Sequence, residues 1–319
     1  AVAQAAANNQ LPRLNCPDKE SFYSLHYSHP EWLVRLLTAQ YGQKPTAAIL
    51  AANNAAAPVS IRVNLLRSDR DTVLNRLTED GFTVHPHPKA ASMILAESGD
   101  IASHPLFTEG VVTIQDTASA VCVELLDPQP DTLVLDCCAA PGGKTFYIAE
   151  RMHNQGTVIS CDIYEHKLEK IQAGAQRLGL SIVQPTLQDA AQPRAEWVEK
   201  ADSVLCDVPC SGMGIIRKKP EIRYKDADEI QNLPEIQKKI LENCANYVKP
   251  GGTLVYSTCT ILERENQAVV QEFLQQHPEF EAVPIEHPVF GTSENGMITL
   301  LPSIHDTDGF FIAKLRRLK

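Results

Sequence analysis

Two cysteines, Cys210 and Cys259, each follow an apolar run that is typical of a buried strand. If those strands are neighbours in a parallel sheet, both thiols lie at the same edge of it. A thiolate that adds to C6 of a cytosine makes C5 able to attack a methyl donor, and a second group must then remove the C5 proton. Asp207, three residues before Cys210, is placed to hydrogen-bond N3 of the base. The pair therefore favours methylation of a pyrimidine carbon over two inert core cysteines, and it leaves open which thiol attacks.

A glycine-containing loop, residues 136–145, follows an apolar strand and opens a helix. Its adjacent glycines let a ligand approach the backbone closely, and free amides at the helix start can bind a polar group. We interpret it as an S-adenosylmethionine loop. A P-loop is an alternative, because Gly143–Thr145 fits the end of that motif and Val204–Asp207 resembles a Walker B strand, but Cys138 replaces its first glycine. The glycine pattern of a dinucleotide fold is absent from this loop.

Carboxylates stand at the predicted ends of four successive strands, at Asp136, Asp162, Asp189 and Asp207. In register they would line one crevice, which is where doubly wound sheets bind ligands. Asp162 could accept hydrogen bonds from both ribose hydroxyls of the cofactor, and Asp189 lies where its adenine amino group would be. Surface loops are rich in aspartate, so one such residue carries little weight, whereas four in register favour a cofactor site.

These residues need a scaffold that brings strand ends together, and strands and helices alternate after Gly110. The predicted elements are strand 132–137, helix 143–152, strand 157–161, helix 165–178, strand 182–186, strand 203–206, helix 234–248, strand 253–257 and helix 264–276. Their continuous apolar strands would be buried on both faces. We predict an α/β fold, a Rossmann-like class I methyltransferase with a doubly wound, mostly parallel sheet.

A smaller unit precedes this sheet. It contains predicted helices over 30–41 and 69–79 and predicted strands over 60–65, 82–84 and 93–96, which indicate a small N-terminal α+β subdomain. We divide the chain into three parts, namely residues 1–25, a linker or the remnant of a preceding domain, residues 26–110, the small subdomain, and residues 111–319, the methyltransferase domain.

Composition limits the class of protein. The 319 residues carry 29 basic and 39 acidic side chains, a net charge of −10, so nucleic-acid binding would need a local basic surface. Residues 217–225 provide one beside Cys210, whereas we interpret the basic cluster over 314–319 as a solvated surface. No apolar run is long enough to cross a membrane, and the start does not resemble a secretory signal. Nine cysteines without a Cys-x-x-Cys pair indicate no metal site and a cytoplasmic protein.

The chain resembles the RsmB type (also called Fmu or Sun) of small-subunit ribosomal RNA cytosine-C5 methyltransferases, within the wider Nop/Sun group. The likeness runs from about residue 26 to the C-terminus, and its most specific parts are the motifs Asp207–Gly212 and Tyr256–Cys259. The other matching stretches are 27–33, 61–64, 115–116, 136–145 and 308–311.

The resemblance implies transfer of a methyl group from S-adenosylmethionine to C5 of a specific cytosine in 16S ribosomal RNA through a covalent cysteine–C6 adduct. It implies Cys259 as the nucleophile and Cys210 as the residue that helps to release the product, and we place Asp207 and Lys144 in the same catalytic set. The cofactor-binding residues we expect are Cys138, Ala139, Ala140, Pro141, Gly142, Gly143, Lys144, Asp162, Asp189 and Asp207. The RNA contacts we expect are Arg62, Asn64, Arg217, Lys218, Lys219 and Arg223.

Members of this group usually carry an N-terminal RNA-binding domain that resembles the antitermination factor NusB, and this chain has no room for it before Tyr27. We expect either that it was removed or that this member lacks it. We also expect the small subdomain to bind RNA, and a monomer that acts on 16S RNA before subunit assembly is complete. A P-loop NTPase and a non-catalytic RNA-binding factor are the alternatives, and the presence of both Cys210 and Cys259 disfavours the second.

Overall fold

The computed structural model describes residues 16–318, and the described chain begins with three helices. They are α1 (Lys19–Tyr27), α2 (Glu31–Tyr41) and α3 (Gln43–Asn53). Asp18 caps α1, because its carboxylate accepts a hydrogen bond from the Ser21 amide at 2.7 Å. Residues 1–15, most of the predicted linker, lie outside the described residues, whereas residues 19–25 belong to α1.

A four-stranded antiparallel sheet follows, in the order β2-β3-β1-β4. Its elements are β1 (Val59–Val63), α4 (Arg70–Glu79), β2 (Val84–Pro86), β3 (Met93–Ala96), α5 (Pro105–Thr108) and β4 (Val112–Ile114). Asp69 caps α4 by accepting from the Thr72 amide at 2.8 Å, as the acidic start of that helix predicts. Apolar side chains of the sheet and of α4 form a separate small core.

The larger sheet has eight strands, and five of them are parallel. The part of the chain that contains this sheet has the following elements in order: α6 (Thr117–Leu126), β5 (Thr132–Asp136), α7 (Gly143–Arg151), β6 (Gly156–Asp162), α8 (Glu165–Leu178), β7 (Val183–Leu187), β8 (Ala201–Asp207), α9 (Leu233–Ala245), β9 (Val248–Thr258), α10 (Gln267–Gln276), β10 (Phe280–Ala282), the hairpin β11 (Ile285–His287) and β12 (Gly291–Ser293), β13 (Met297–Leu300), α11 (Pro302–His305) and β14 (Phe310–Arg317). The hairpin β11–β12 forms a separate two-stranded sheet.

The strand order of the large sheet is β10-β14-β9-β8-β5-β6-β7. The chain runs from β5 outward to β7 and then returns to β8 on the other side of β5, so the switch point lies between β5 and β8. Helices α6, α7 and α8 contribute to the core on one face, and α9 and α10 contribute to the core on the other. The predicted doubly wound α/β fold with a small N-terminal subdomain is confirmed.

The three N-terminal helices do not share the core of the small sheet. Leu33, Leu37 and Leu50 pack instead against Met213 and Ile261, which belong to loops of the larger unit. Helices α1 to α3 are therefore part of the body that carries the strand-end loops, although the sequence analysis places most of α1 in the linker and groups α2 and α3 with the small subdomain.

A buried ion pair joins the small sheet to the larger unit. Arg62 of β1 donates to Glu150 of α7, and their side chains are 0% and 3% exposed. Arg62 also donates to Gln115 at 2.5 Å and lies over the Tyr147 ring, 4.3 Å from its centre. The two units are thus fastened by a charged contact that excludes solvent. Within residues 16–318, no helix has the length and apolarity needed to span a membrane.

Candidate active site

The carboxyl ends of the central strands bring the predicted chemical groups to one edge of the large sheet. Asp136 ends β5, Asp162 ends β6 and Asp207 ends β8, while Cys259 directly follows β9. Strands β8 and β9 are parallel neighbours, as the sequence predicts, and Asp207 lies opposite Ser257. The groups from β5 and β8 flank the switch point, where such sheets open a crevice.

The two thiols meet at this edge. The sulfur atoms of Cys210 and Cys259 are 3.2 Å apart, and both residues are free and half-buried. The Cys210 S–H, as donor, lowers the pKa of Cys259 and raises its own, and burial raises the pKa of Cys210 further. The Lys144 ammonium also favours a thiolate at Cys259, although burial and Asp207 oppose it. When the pair loses a proton, this arrangement favours the thiolate on Cys259.

Buried polar groups fix the loop that carries Cys210. The Glu265 carboxylate accepts from the Ser211 amide and from the Gln237 side chain, both at 2.9 Å. Gln237 also donates to the Pro209 carbonyl at 3.0 Å. Glu265 is completely buried, and its charge opposes ionisation of Cys210. This carboxylate was not predicted from the sequence, because its role depends on a contact 54 residues apart.

A close backbone approach holds the Cys259 loop. The Gly214 amide donates to the Cys259 carbonyl at 3.0 Å, and the Gly309 amide donates to the Gly214 carbonyl at 2.8 Å. A Cβ atom on Gly214 would lie 1.9 Å from the Gly309 carbonyl oxygen, so only glycine allows this packing. The cysteine loops are thereby joined to the start of β14.

Lys144 and Asp207 form an ion pair next to the thiols. The Lys144 ammonium donates to one Asp207 carboxylate oxygen at 2.7 Å, and the Ser257 hydroxyl donates to the other at 2.7 Å. Burial alone would lower the pKa of Lys144, but the charge and hydrogen bond of Asp207, together with Cys122 and Asp136, outweigh burial and raise it. The ammonium is thus permanently charged, and Asp207 is held in one orientation by two donors.

The glycine-containing loop lines a cavity of about 210 Å³ between β5 and α7. Cys138, Ala139, Ala140, Pro141, Gly143 and Lys144 contribute to its wall, together with Asp116, Asp136 and Asp207. Gly142 has a φ of +109°, and a Cβ there would lie 2.4 Å from the Phe146 ring, so this position requires glycine. The loop contributes backbone and small side chains to this wall, which suits a ligand that approaches the main chain closely.

Asp136 has one carboxylate oxygen without a partner. The Thr145 hydroxyl donates to Oδ2 at 2.6 Å, whereas Oδ1 is buried and accepts no hydrogen bond within the described chain. Burial raises the pKa of Asp136 to about 7. A ligand that donates an N–H or an ammonium proton into the cavity would satisfy this oxygen, so the residues present fit a cofactor with such a donor.

Asp162 and Asp189 lie further along the same edge. Asp162 accepts from the Tyr164 amide at 3.0 Å, and Asp189 is exposed and accepts from the Ala191 amide at 2.9 Å. Beside them stand two exposed apolar side chains that the sequence analysis missed, Ile163 at 51% and Leu187 at 57% exposure. Ile163 directly follows the strand-end Asp162, which was the signal in the sequence for this exposed apolar surface.

Two of the predicted RNA contacts are wrong. Arg62 is completely buried in the ion pair with Glu150, and Asn64 is 1% exposed, with its amide donating to the Gly110 carbonyl at 3.2 Å. Neither side chain reaches a surface that RNA can touch. The matching stretch 61–64 therefore fastens the small sheet to the larger unit.

Three members of the predicted basic cluster also contact carbonyl or carboxylate groups of the protein. Arg223 is 7% exposed and binds the Ser28 carbonyl at 3.1 Å, which corrects its prediction as an RNA contact. Lys218 donates to Asp116 at 2.7 Å and to Asp308 at 2.8 Å, and it is partly exposed. The side chain of Arg217 is 6% exposed, with its guanidinium 3.7 Å from Asp308, so it too is turned inward. Lys219 alone of the predicted cluster is exposed and makes no ion pair or side-chain hydrogen bond within residues 16–318.

Asp116 and Asp308, the acidic partners of Lys218, were not predicted as site residues. Asp116 caps α6 by accepting from the Ala118 amide at 2.8 Å, and it also borders the cavity. Burial and the charge of Asp116 raise the pKa of Asp308 to about 6. Lys218 therefore links the loop after Cys210 to the wall of the cavity.

Comparison with known proteins identifies two matching family models. Residues 123–316 match the model described as 16S rRNA methyltransferase RsmB/F, and residues 29–102 match a ferredoxin-like domain of RsmF/B-like methyltransferases. A relative from Bacillus subtilis (strain 168), described as a probable ribosomal RNA small subunit methyltransferase B, is 40% identical over 297 residues. That match covers 91% of this chain and 66% of the relative, so the chain spans about two thirds of the relative's length.

Solved structures share the whole architecture. The crystal structure of PH0851 superposes with a TM-score of 0.89 at 33% identity, covering 98% of this chain and 71% of that one. NSun6 from Pyrococcus horikoshii, solved with SFG, superposes with a TM-score of 0.82 at 21% identity. That match covers 91% of this chain and 98% of the NSun6 chain. The second likeness concerns the fold alone.

Proposed function

The chain belongs to the RsmB/F family of 16S rRNA methyltransferases, and from this membership we propose that it methylates C5 of a specific cytosine in small-subunit ribosomal RNA. The observation that carries the proposal is the pair of thiols 3.2 Å apart beside the cavity lined by the glycine-containing loop. Methylation of a nitrogen or an oxygen needs no thiol nucleophile, whereas methylation of C5 does, because that carbon is a weak nucleophile until C6 is saturated.

S-adenosylmethionine is the cofactor of the reaction, and when bound it supplies an electrophilic methyl group. We assign its binding to the loop 138–144, to Asp207 and to the strand-end residues beside them. Asp162 would accept hydrogen bonds from the ribose hydroxyls, and Asp189 would accept one from the adenine amino group. Ile163 and Leu187 would contact the faces of the adenine ring, since both expose apolar surface next to those carboxylates. The unpartnered oxygen of Asp136 supports a donor in this cavity.

Cys259 is the nucleophile in the proposed mechanism. Its thiolate forms a bond to C6 of the target cytosine, and the electron pair of the C5–C6 double bond moves toward C5 and the ring. Asp207 hydrogen-bonds the N3 side of the ring and stabilises the adduct, and Lys144 fixes the orientation of Asp207 through their 2.7 Å contact. The lowered pKa of Cys259 supports its assignment over Cys210.

The electron pair at C5 would form the bond to the methyl group that bound S-adenosylmethionine supplies, and the methylated adduct must then lose the proton that C5 still carries. Cys210, once it has given its own proton to solvent, accepts the C5 proton in the proposed mechanism, and a water held by Asp207 is the other candidate base. The C5–H electron pair re-forms the double bond, and the Cys259–C6 bond breaks. The 3.2 Å separation of the sulfur atoms supports Cys210, because it places this second group beside the carbon that Cys259 attacks.

The proposed substrate is 16S ribosomal RNA before the small subunit is fully assembled. The chain spans about two thirds of its relatives, so its substrate range and monomeric state are also proposals. We also propose that the small sheet, β1 to β4, contributes to RNA binding, while helices α2 and α3, which the sequence analysis placed with it in residues 26–110, pack against the unit of residues 111–319.

Methyl transfer from labelled S-adenosylmethionine to an unmodified 16S transcript tests the function. We expect label in 5-methylcytosine at one mapped position. Cys259→Ala should give no product and no adduct, whereas Cys210→Ala should accumulate a denaturant-stable protein–RNA complex, because Cys259 cannot leave until the C5 proton is gone.

Cys16→Ala is the matched control, because that thiol is free and half-buried as the two site thiols are but precedes α1, and its loss should leave adduct formation unchanged. An adduct in Cys259→Ala but not in Cys210→Ala would exchange the two roles. Label in a base other than 5-methylcytosine would refute the proposed reaction.

A further inference from the structure

The turn Pro220–Tyr224 lies against the Cys210 loop. A Cβ on Gly212 would be 3.1 Å from the Ile222 side chain, so the turn is in close contact with the residue two positions after Cys210. The Lys225 ammonium donates to the Ser211 carbonyl at 2.8 Å. The turn is therefore fastened on both sides of Tyr224 to the segment that carries a catalytic thiol.

The cation just before Tyr224 is also turned inward. Arg223 donates to the Ser28 carbonyl at 3.1 Å and to the Asn54 side chain at 2.9 Å, and it is 7% exposed. With Arg223 and Lys225 both anchored in the protein, the backbone of Tyr224 has little freedom to move. The Tyr224 ring points away from these anchors into solvent.

Tyr224 is 66% exposed, more than any other aromatic side chain among residues 16–318. Within the same part of the chain its hydroxyl makes no hydrogen bond, and its ring stacks on no other aromatic or cationic side chain. Lys219, which opens the same turn, is exposed and unpaired as described above. An exposed aromatic ring and an unpaired cation on one anchored turn are features with which proteins bind single-stranded RNA.

We propose that Tyr224 is a stacking surface for an unpaired nucleobase next to the target cytosine, and that Lys219 contacts the adjoining phosphate. The inference rests on the proposed function, because it takes the substrate to be RNA. Stacking on a fixed ring would hold the neighbouring nucleotide while the target base enters the site. The RNA surface is thus this turn, in place of the buried arginines predicted from the sequence.

Binding of the unmodified 16S transcript to the full chain at several salt concentrations tests the proposal. Tyr224→Ala should raise Kd by about 5- to 150-fold at every salt concentration, the equivalent of one lost base stack. Tyr224→Phe and Tyr224→Trp should bind as the wild type does. Lys219→Gln should lower the slope of log K against log salt by about 0.7, whereas Tyr224→Ala should leave that slope unchanged.

Val198→Ala is the control, because Val198 is 43% exposed and lies before β8, at the opposite edge of the sheet. Thermal unfolding of all variants should match that of the wild type. Wild-type Kd for Tyr224→Ala, or weak binding by Tyr224→Phe, would overturn the proposal. Methyl transfer by the wild type is measured in parallel. If the wild type binds the transcript but does not methylate it, the proposed function is refuted, and the Kd values still decide the role of Tyr224.

Discussion

Replacement of Arg62 by methionine tests whether the buried ion pair fastens the two units. The change removes the only charged partner of Glu150 among the ion pairs of residues 16–318 and leaves a carboxylate that is 3% exposed. Breaking such a pair from one side costs about 3–5 kcal/mol, because the remaining charge stays buried. We therefore expect Arg62→Met to lower the free energy of unfolding by that amount.

The loss of stability in Arg62→Met should depend on pH. Burial raises the pKa of Glu150 above its ordinary value even with Arg62 present, and removal of the guanidinium raises it further. A carboxyl whose pKa is raised on folding favours the folded state while it is protonated. The free energy of unfolding therefore falls as the pH rises above 4.5, the ordinary pKa of this carboxyl in the unfolded chain. Arg62→Met should therefore be less destabilised at pH 5 than at pH 8.

Denaturant unfolding of Arg62→Met, Glu150→Leu and the double variant measures this pair directly. The double variant should be more stable than Arg62→Met, because no buried charge is left unpaired. Binding of the 16S transcript at a temperature where the variants are folded is the second measurement. Unchanged stability together with weaker RNA binding would refute the buried-pair assignment and restore Arg62 as an RNA contact.

Three further outcomes are expected at the site edge. Lys144→Met should raise the pKa of Cys259, so that alkylation of this thiol by iodoacetamide needs a higher pH; an unchanged alkylation profile would remove Lys144 from the support of the thiolate. Asp162→Ala should weaken cofactor binding by about 1.5–3 kcal/mol in calorimetry, since a charged acceptor of two hydroxyls is lost, and unchanged affinity would refute its assignment. The free energy of unfolding should fall between about pH 4 and pH 7 as buried Asp136 ionises, and Asp136→Asn should flatten that slope; equal slopes would show that Asp136 is ionised throughout.

The sequence predicts best where the hydrophobic period is strong. Helix α8 is predicted at 165–178 and begins and ends there, and strand β3 is predicted at its observed bounds. Helix α6 was missed because its sequence is apolar on nearly every side, so that it has no helical period to detect. Helix α3 was missed because its alanines give little contrast between faces.

The candidate site also contains residues that the sequence could predict and residues that it could not. Groups at the ends of successive strands could be placed together from the fold class, which brings Asp207 to Cys259 without knowledge of any contact. Whether a basic side chain points into the protein or into solvent could not be predicted in this way. Arg62, Arg223 and Lys218 bind partners 88, 195 and 90 to 102 residues away, and nothing local in the sequence distinguishes them from exposed Lys219.

The position of β14 has a consequence for biosynthesis. This strand lies between β9 and β10, and it pairs with Ser257 and Thr258, directly before Cys259. Within residues 16–318, β10 and β13 join the sheet only through β14, so neither can pair with the sheet before that later segment has been synthesised. A nascent chain can therefore form the parallel core and the glycine-containing loop first, whereas the side of β9 next to the nucleophile is paired only after β14 has emerged from the ribosome.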